Sequence, residues 1–136
     1  MKALVIGSGR VGSLLAQELA GAGWEVVVVD RNDESLERLG KGWKGEFVAG
    51  HAMDVEVLER AGIADADAVI AATSGDNTNI VVAQVAKRRY GVAAVSARIL
   101  DPARAKFYAG HGFEVVSPTQ TAIAELLDWA TSERPA

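Results

Sequence analysis

The sequence predicts an α/β fold built on a parallel sheet, and three of its features lead to that prediction. Short runs of apolar, β-branched residues alternate with amphipathic helical stretches along the chain. The first run is followed at once by a glycine-rich turn and a helix. The length of 136 residues suits one compact domain. Together these features favour six strands joined by right-handed crossover connections.

Each predicted strand is a short run rich in apolar or β-branched residues. Residues 3–6 are continuously apolar, which suits a strand buried on both faces of a parallel sheet. Four consecutive valines favour extended backbone in the second strand. In chain order the strands are predicted over residues 3–6, 25–29, 46–49, 68–72, 92–99 and 113–116. The expected strand order is 3-2-1-4-5-6, that of a Rossmann-like, doubly wound sheet.

A helix is predicted after each strand. Residues 11–22 carry apolar side chains at helical spacing, and the fourth helix is predicted as one segment over residues 77–89. The starts of the others are marked by capping residues or proline at Asn32-Asp33, Asp54, Asp101-Pro102 and Ser117-Pro118. The last helix is expected to run to about residue 130, and the polar tail, residues 132–136, to fray.

Composition and charge exclude several classes of protein. The 14 Lys and Arg and 18 Asp and Glu give a net charge of −4 without any basic run, which argues against nucleic-acid binding. The absence of cysteine excludes disulfides and thiolate metal sites, and no metal site is predicted. The apolar runs are far shorter than the roughly 20 residues that cross a bilayer. We therefore expect a soluble, cytoplasmic protein.

The glycine-rich turn is a GxGxxG motif between a strand and a helix, the context that makes this motif informative. Gly7 would permit the tight turn, Gly9 would let the backbone approach a pyrophosphate, and Gly12 would let the helix pack closely on the strand. The N–H groups of that helix would then face the phosphates. The predicted phosphate loop is Gly7, Ser8, Gly9, Arg10, Val11 and Gly12. A glycine-rich turn that binds nothing is the alternative.

Asp30 ends the second strand, 18 residues after Gly12. A carboxylate at this position can accept hydrogen bonds from both hydroxyls of an adenosine ribose. Its charge disfavours the 2′-phosphate of NADP, although the neighbouring Arg31 could accommodate one. The ribose of ATP, ADP or AMP would satisfy Asp30 as well as that of NAD(H). A role as a turn cap is the alternative.

Further candidates follow from the rule that ligands of this fold bind outside the carboxyl ends of the strands. The residues so placed are Gly50, His51 and Ala52 beside an adenine, Thr73, Ser74, Asp76 and Asn77 near a second ribose or terminal phosphate, and Arg98. Arg98 and Arg10 suit phosphates, which guanidinium groups bind in pairs of hydrogen bonds. Alternatively, His51 faces solvent, Asp76 and Asn77 only cap the next helix, and Arg98 pairs with Asp101.

The competing class of protein is an NAD-dependent dehydrogenase. Such an enzyme needs a proton donor or acceptor beside the hydride and usually a second domain that holds substrate. A Tyr-x-x-x-Lys pair is absent, because Tyr90 and Tyr108 precede Ala94 and Gly112, and no P-loop Gly-Lys-Ser/Thr is present. We therefore predict no catalytic residues and no enzymatic activity. A detached NAD-binding half of an oxidoreductase is the alternative.

Blocks spread over nearly the whole chain resemble the RCK N-terminal domain family, also called the KTN or TrkA N-terminal domain. They include GSGRVG at residues 7–12, VVVVD ending at residue 30, GHAMD at 50–54, DNTN at 76–79 and GFEVVSP at 112–118. The resemblance implies a cytoplasmic sensor of NAD(H) or ATP/ADP that regulates a potassium channel or transporter by ligand-dependent conformational change. It implies ligand contacts at residues 7–11, Asp30, His51-Ala52, Thr73-Ser74 and Arg98. His51 departs from the Asp or Asn common in the family.

The resemblance also implies how the domain is assembled. Many members append a C-terminal regulatory domain that has no counterpart here, so residues 1–136 are expected to be one nucleotide-binding domain. Members dimerise, and the last helix crosses to the partner. In this chain that helix has an apolar face of Ile123, Leu126, Leu127 and Trp129; packing on its own sheet is the alternative. The expected partners are a second copy and a membrane potassium channel or transporter subunit, with the protein peripheral at the inner membrane face.

Overall fold

The computed structural model describes residues 1–132, and residues 133–136 of the tail that is expected to fray lie outside the described residues. The strands are β1 (Lys2–Ile6), β2 (Glu25–Asp30), β3 (Glu46–Ala49), β4 (Ala68–Ala71), β5 (Ala94–Arg98) and β6 (Glu114–Val116). The α-helices are α1 (Arg10–Gly21), α2 (Val55–Arg60), α3 (Asp76–Gln84), α4 (Pro102–Tyr108) and α5 (Pro118–Thr131).

The six strands form one parallel sheet in the order β3-β2-β1-β4-β5-β6, which confirms the predicted fold. β1 lies between β2 and β4, where Val5 is opposite Val28 on one side and Ile70 on the other. The strand order reverses between β1 and β4. This reversal opens a crevice at the carboxyl ends of the strands, where doubly wound folds bind ligands.

Both faces of the central strands are buried, as their continuous apolar sequences predict. On one face, Val5 and Val28 pack with Ala16 of α1. On the other face, Leu4 packs with Leu58 of α2 and further residues of the larger core cluster. Because successive side chains of a strand point to opposite faces, the strands of the sheet's centre need apolar residues at every position.

The second predicted helix is instead a 3₁₀ segment, Asp33–Leu39. Asn32 caps it as predicted, since its side-chain oxygen accepts a hydrogen bond from the N–H of Glu34 at 3.0 Å. Its other end is held by tertiary contacts, because Gln17 of α1 donates hydrogen bonds to the carbonyls of Arg38 and Leu39. Such contacts can override the helical propensity of a short segment.

The fourth predicted helix and the strand after it also differ from expectation. α3 ends at Gln84 and continues as a π-helix, Val85–Arg89. β5 starts at Ala94 rather than at residue 92. The reason is that the Lys87 ammonium donates to the carbonyls of Val92 and Ala93, while the N–H of Val92 donates to Ala86. These bonds hold the start of the expected strand against the helix.

α5 contains no buried residue. Its side chains Ile123, Leu126 and Leu127 are 56%, 66% and 60% exposed, so packing on its own sheet is not how this face is used. Of the helices in residues 1–132, none has the length and apolar character that crossing a membrane requires.

Gly12 lies where α1 meets the glycine-rich turn, and a side chain there has no room. A Cβ atom on Gly12 would come within 1.8 Å of the Gly7 carbonyl oxygen. We expect Gly12→Ala to lower the free energy of unfolding by about 1–3 kcal/mol, because backbone must shift to admit the methyl group. Urea unfolding measures this loss.

Gly21→Ala is the matched control for that substitution. Gly21 is the last residue of the same helix, and its added Cβ would meet nothing within 4 Å. The control should be neutral or slightly stabilising, since alanine has the lower unfolded-state entropy. Equal destabilisation by both substitutions would contradict the close contact at Gly12.

Candidate functional site

The carboxyl ends of the central strands surround a cleft of about 520 Å³, a volume in the range of small-molecule sites. Most of the residues predicted from the sequence line it. They are Gly7, Gly9, Arg10, Val11, Asp30, Arg31, His51, Ala52, Thr73, Ser74 and Arg98. The structure thus brings to one cavity residues that are up to 91 positions apart in the chain.

Four predicted residues, Ser8, Gly12, Asp76 and Asn77, do not line the cleft. Ser8 is a fully buried residue of the glycine loop, and Gly12 packs against Gly7. The side-chain oxygen of Asn77 accepts a hydrogen bond from the Arg104 guanidinium, so Asn77 faces α4. The neighbouring Thr78 lines the cleft instead.

Asp76 and Asn77 do not have the alternative role of capping residues either, since neither caps α3. The N-cap residue is Gly75, and no side-chain cap is present. The Asp76 carboxylate instead accepts hydrogen bonds from the N–H groups of Leu100 and Asp101, at 2.8 and 3.0 Å. Asp76 therefore ties the start of α3 to the segment between β5 and α4.

The glycine loop has the shape that its sequence predicts. Gly7 has a φ of 97°, a conformation that favours glycine, and a Cβ there would lie 2.9 Å from the Ala72 carbonyl oxygen. A Cβ on Gly9 would meet no protein atom within 4 Å, so the space above this residue is open. Gly9 is also the N-cap of α1 and brings no side-chain cap. The N–H groups of the first helical turn are therefore left for an anion.

Asp30 is bound to the glycine loop by its own carboxylate. Oδ2 accepts hydrogen bonds from the N–H (2.8 Å) and the hydroxyl (3.0 Å) of Ser8. Oδ1 accepts one from the N–H of Asn32 at 3.0 Å. A carboxylate offers about four acceptor positions, so these three bonds leave one for a ligand in the cleft.

These hydrogen bonds fix the charge of Asp30. Partial burial raises the pKa of the carboxyl, but hydrogen bonds from Ser8, Asn32 and Ser35 outweigh it and hold the pKa below the ordinary aspartate value. Asp30 is thus ionised at neutral pH, the state that accepts hydrogen bonds from a sugar diol.

Four arginines surround the cleft: Arg10, Arg31, Arg38 and Arg98. Among the described residues that line it, Asp30 is the only carboxylate. The cleft therefore has a net positive charge, although the chain carries −4. That arrangement favours ligands with several negative charges.

Arg38 is a lining residue that the sequence does not single out. It extends from the 3₁₀ segment, and its Nη1 donates to the Ser8 carbonyl at 3.3 Å. No local sequence motif indicates this role, since the contact of Arg38 with Ser8 depends on how the 3₁₀ segment packs. Gly50, which is predicted beside His51, also lines the cleft, whereas Asn32, Ser35, Gly75 and Thr78 are lining residues that the sequence analysis does not single out.

Arg98 does not pair with Asp101, which instead caps α4 by accepting a hydrogen bond from the N–H of Arg104. Nη2 of Arg98 donates to the Thr73 carbonyl at 2.7 Å. Within residues 1–132 its Nε is buried and has no hydrogen-bond partner. A buried donor without a partner costs about 1–3 kcal/mol of stability.

His51 both lines the cleft and is exposed to solvent. Its Nδ1 accepts a hydrogen bond from the N–H of Met53 at 3.2 Å, so the ring helps to hold the turn after β3. Nε2 is then the protonated nitrogen when the ring is neutral.

Fold and cleft together define a Rossmann-like domain with a positively charged cleft at the switch point of its sheet. The sequence model of the TrkA-N domain family matches residues 3–118, and the chain belongs to that family. This confirms the resemblance found in the sequence.

Similar proteins include the Trk system potassium uptake protein TrkA of Streptomyces coelicolor, 42% identical over 127 residues. The match covers 93% of this chain and 57% of that relative, so the chain spans a little over half of the relative's length. The solved TrkA-N domain of the inner membrane protein ybaL from Escherichia coli has a TM-score of 0.79 and 24% identity. That likeness covers 94% of this chain and 95% of the ybaL chain.

Two structures of GsuK are also similar. GsuK bound to ADP has a TM-score of 0.77 and 24% identity, covering 96% of this chain and 34% of that one. The GsuK channel bound to NAD has a TM-score of 0.75 and 21% identity, covering 93% and 23%. At these identities the likeness shows the shared fold.

The lowered pKa of Asp30 predicts a pH-dependent contribution to stability. A depressed pKa means that the ionised carboxylate stabilises the folded state above the unfolded-state pKa, about 4, and that this is lost as pH falls through the folded-state value. The stability difference between wild type and Asp30→Asn should be constant near neutrality and shrink between about pH 5 and pH 3. Urea unfolding at each pH measures it. A difference that does not change over that range would mean an unshifted pKa.

Proposed function

We propose that this chain is the nucleotide-binding domain of a regulator of potassium transport. Its ligand is NAD(H) or an adenine nucleotide such as ATP, ADP or AMP, and its partner is a membrane potassium channel or transporter subunit. One observation carries the proposal: an ionised Asp30 and an open glycine turn face the same positively charged cleft. The names of the TrkA relatives and the ADP and NAD bound to GsuK support it.

The ligand's adenosine end would lie at the β2 side of the cleft. Asp30 would accept a hydrogen bond from a ribose hydroxyl at its remaining acceptor position, while His51 and Ala52 flank the adenine. The phosphates would lie over Gly9, against the N–H groups of α1, with Arg10 and Arg98 nearby. A ribose with a 2′-phosphate would bring a second negative charge to Asp30, so NADP should bind less well than NAD.

We infer a binding role rather than catalysis. Among the described lining residues the candidates for acid–base chemistry are Asp30, which is already held by three hydrogen bonds, and His51, which would lie on the adenine side, away from a nicotinamide. A general acid or base needs a proton that it can exchange with a substrate. The alternative, a detached NAD-binding half of an oxidoreductase, predicts oxidation or reduction of an added substrate, and steady turnover by the purified chain would support it instead.

Regulation would follow from a difference in affinity between two conformations. A nucleotide can shift such an equilibrium only by as much as it prefers one state. Ligands that span the cleft to different extents would therefore favour different states, and a bound pore would open or close in response. The protein would act at the cytoplasmic membrane face through its partner.

A second copy of the chain is the proposed partner for α5. This helix has no buried residue, and its Ile123, Leu126 and Leu127 form an exposed apolar face. Apolar faces of this kind on a soluble domain mark protein interaction sites. A homodimer or higher homo-oligomer would cover them.

The nucleotide proposal predicts which ligands bind and how strongly Asp30 contributes. Calorimetric titration should show binding of NAD⁺, NADH, ATP, ADP or AMP, and weaker binding of NADP⁺. Asp30→Ala should lose about 1.5–3 kcal/mol of binding free energy, the usual value of hydrogen bonds to a charged group. Asp30→Asn should lose less, because it keeps one acceptor oxygen.

Asp33→Asn is the control for charge. It removes one negative charge close by in the 3₁₀ segment, but Asp33 does not line the cleft. Its affinity should equal that of wild type within experimental error. Wild-type affinity in Asp30→Ala would contradict the ribose contact.

The dimer proposal predicts that a charge on the apolar face of α5 prevents association. Leu126→Glu should shift the chain to monomer in sedimentation velocity, because a buried carboxylate without a partner strongly disfavours the interface. Asp128→Lys, which is not an i±3 or i±4 neighbour of any residue of the apolar face, should leave association unchanged. A monomeric wild type at high concentration, or an unaffected Leu126→Glu, would contradict the proposal.

A further inference from the structure

Asn79 is a fully buried amide that joins two strand ends at the cleft. Its Oδ1 accepts hydrogen bonds from the N–H and the hydroxyl of Thr73, at 2.9 and 2.6 Å. Its Nδ2 donates to the carbonyls of Thr73 and Arg98, at 3.0 and 2.8 Å. An asparagine amide has two donor hydrogens and two acceptor lone pairs, so all of them are used inside the protein.

Thr73 connects this amide to the glycine loop. Gly7 packs so closely that a Cβ on it would come within 2.9 Å of the Thr73 nitrogen and Cα. The Thr73 carbonyl also accepts the hydrogen bond from Nη2 of Arg98 at 2.7 Å. The Arg98 guanidinium is therefore held beside the turn at which phosphates would bind.

The Arg98 guanidinium has unused hydrogen-bonding capacity. It carries five N–H donors. One donates to Thr73 and the Nε donor is buried, so the other Nη donors of this cleft-lining residue are the ones left for a ligand. Phosphate oxygens match the geometry of these donors. The position of the group depends on two backbone carbonyls, those of Thr73 and Arg98, and the Asn79 amide binds both.

We propose that Asn79 is a positioning residue for Arg98, and that through it the cleft distinguishes a pyrophosphate-containing nucleotide from a nucleoside monophosphate. This inference rests on the proposed function. The single phosphate of AMP lies at the glycine loop, whereas ADP and NAD carry a second phosphate that extends towards Arg98. Removing the Asn79 amide frees the Thr73 and Arg98 carbonyls to shift, and the second phosphate loses a fixed partner.

The test measures how much more tightly ADP and NAD⁺ bind than AMP. Calorimetry on the purified chain gives the ratio of the AMP to the ADP dissociation constant. Arg98→Gln should lower this ratio about tenfold or more, the value of a charged hydrogen bond. Asn79→Ala should lower it about three- to tenfold, because Arg98 is still present but less well placed. AMP affinity should change little in either variant.

Val82→Ala is the control for loss of stability. Val82 lies on the same helix, is fully buried in the core and does not line the cleft. It should lower the melting temperature but leave the ratio unchanged. A ratio unchanged in Asn79→Ala would show that Asn79 is only structural and would overturn the proposal.

Arg98→Gln keeps the test decisive if Asn79→Ala does not fold. An unchanged ratio in Arg98→Gln alone overturns the inference. Equal losses for ADP and NAD⁺ support recognition of a pyrophosphate, whereas a loss confined to ADP would mean a terminal phosphate and overturn it. Failure of the wild type to bind any of the three nucleotides would contradict the proposed function itself, and that outcome is distinct from binding with unchanged ratios.

Discussion

The hydrogen bonds from Ser8 to Asp30 are the interaction on which the rest of the cleft depends. They connect the ends of two neighbouring strands, β1 and β2, and a backbone bond from the Gly7 N–H to the Val29 carbonyl reinforces them. The glycine turn is therefore fixed by the same carboxylate that faces the cleft. The loop and the acid cannot change position independently, and their relative geometry is set before any ligand arrives.

The buried side chain of Asn79 connects the strand ends on the opposite side of the cleft. Asn79 holds the ends of β4 and β5 as Ser8 holds those of β1 and β2. Both residues are fully buried, and both have their hydrogen-bonding groups engaged close to the cleft. Buried polar groups without partners destabilise a fold, so such satisfied groups specify one arrangement. The cleft is thus preorganised at both ends.

The sheet order could be predicted from the sequence because the alternation of strands and helices, with right-handed crossovers, leaves few topologies. Most of the residues that line the cleft could also be predicted, since they lie directly after a strand. Asn77 shows the limit: one residue along a helix rotates the side chain by about 100°, so Asn77 faces α4 while Thr78 faces the cleft. Arg38 could not be predicted from the sequence for another reason: its approach to Ser8 depends on tertiary packing.

The net charge of the cleft is opposite in sign to the net charge of the whole chain. The chain as a whole is acidic, yet four of its arginines line the cleft around one ionised carboxylate whose charge is stabilised by hydrogen bonds. An anion entering the cleft meets a local positive field, whereas the long polyanion of a nucleic acid would also meet the negative remainder of the surface. The same distribution makes the cleft selective for charge carried on a compact group. Because the Nη groups of Arg98 carry donors that Thr73 does not use, each phosphate that reaches them adds to the free energy of binding.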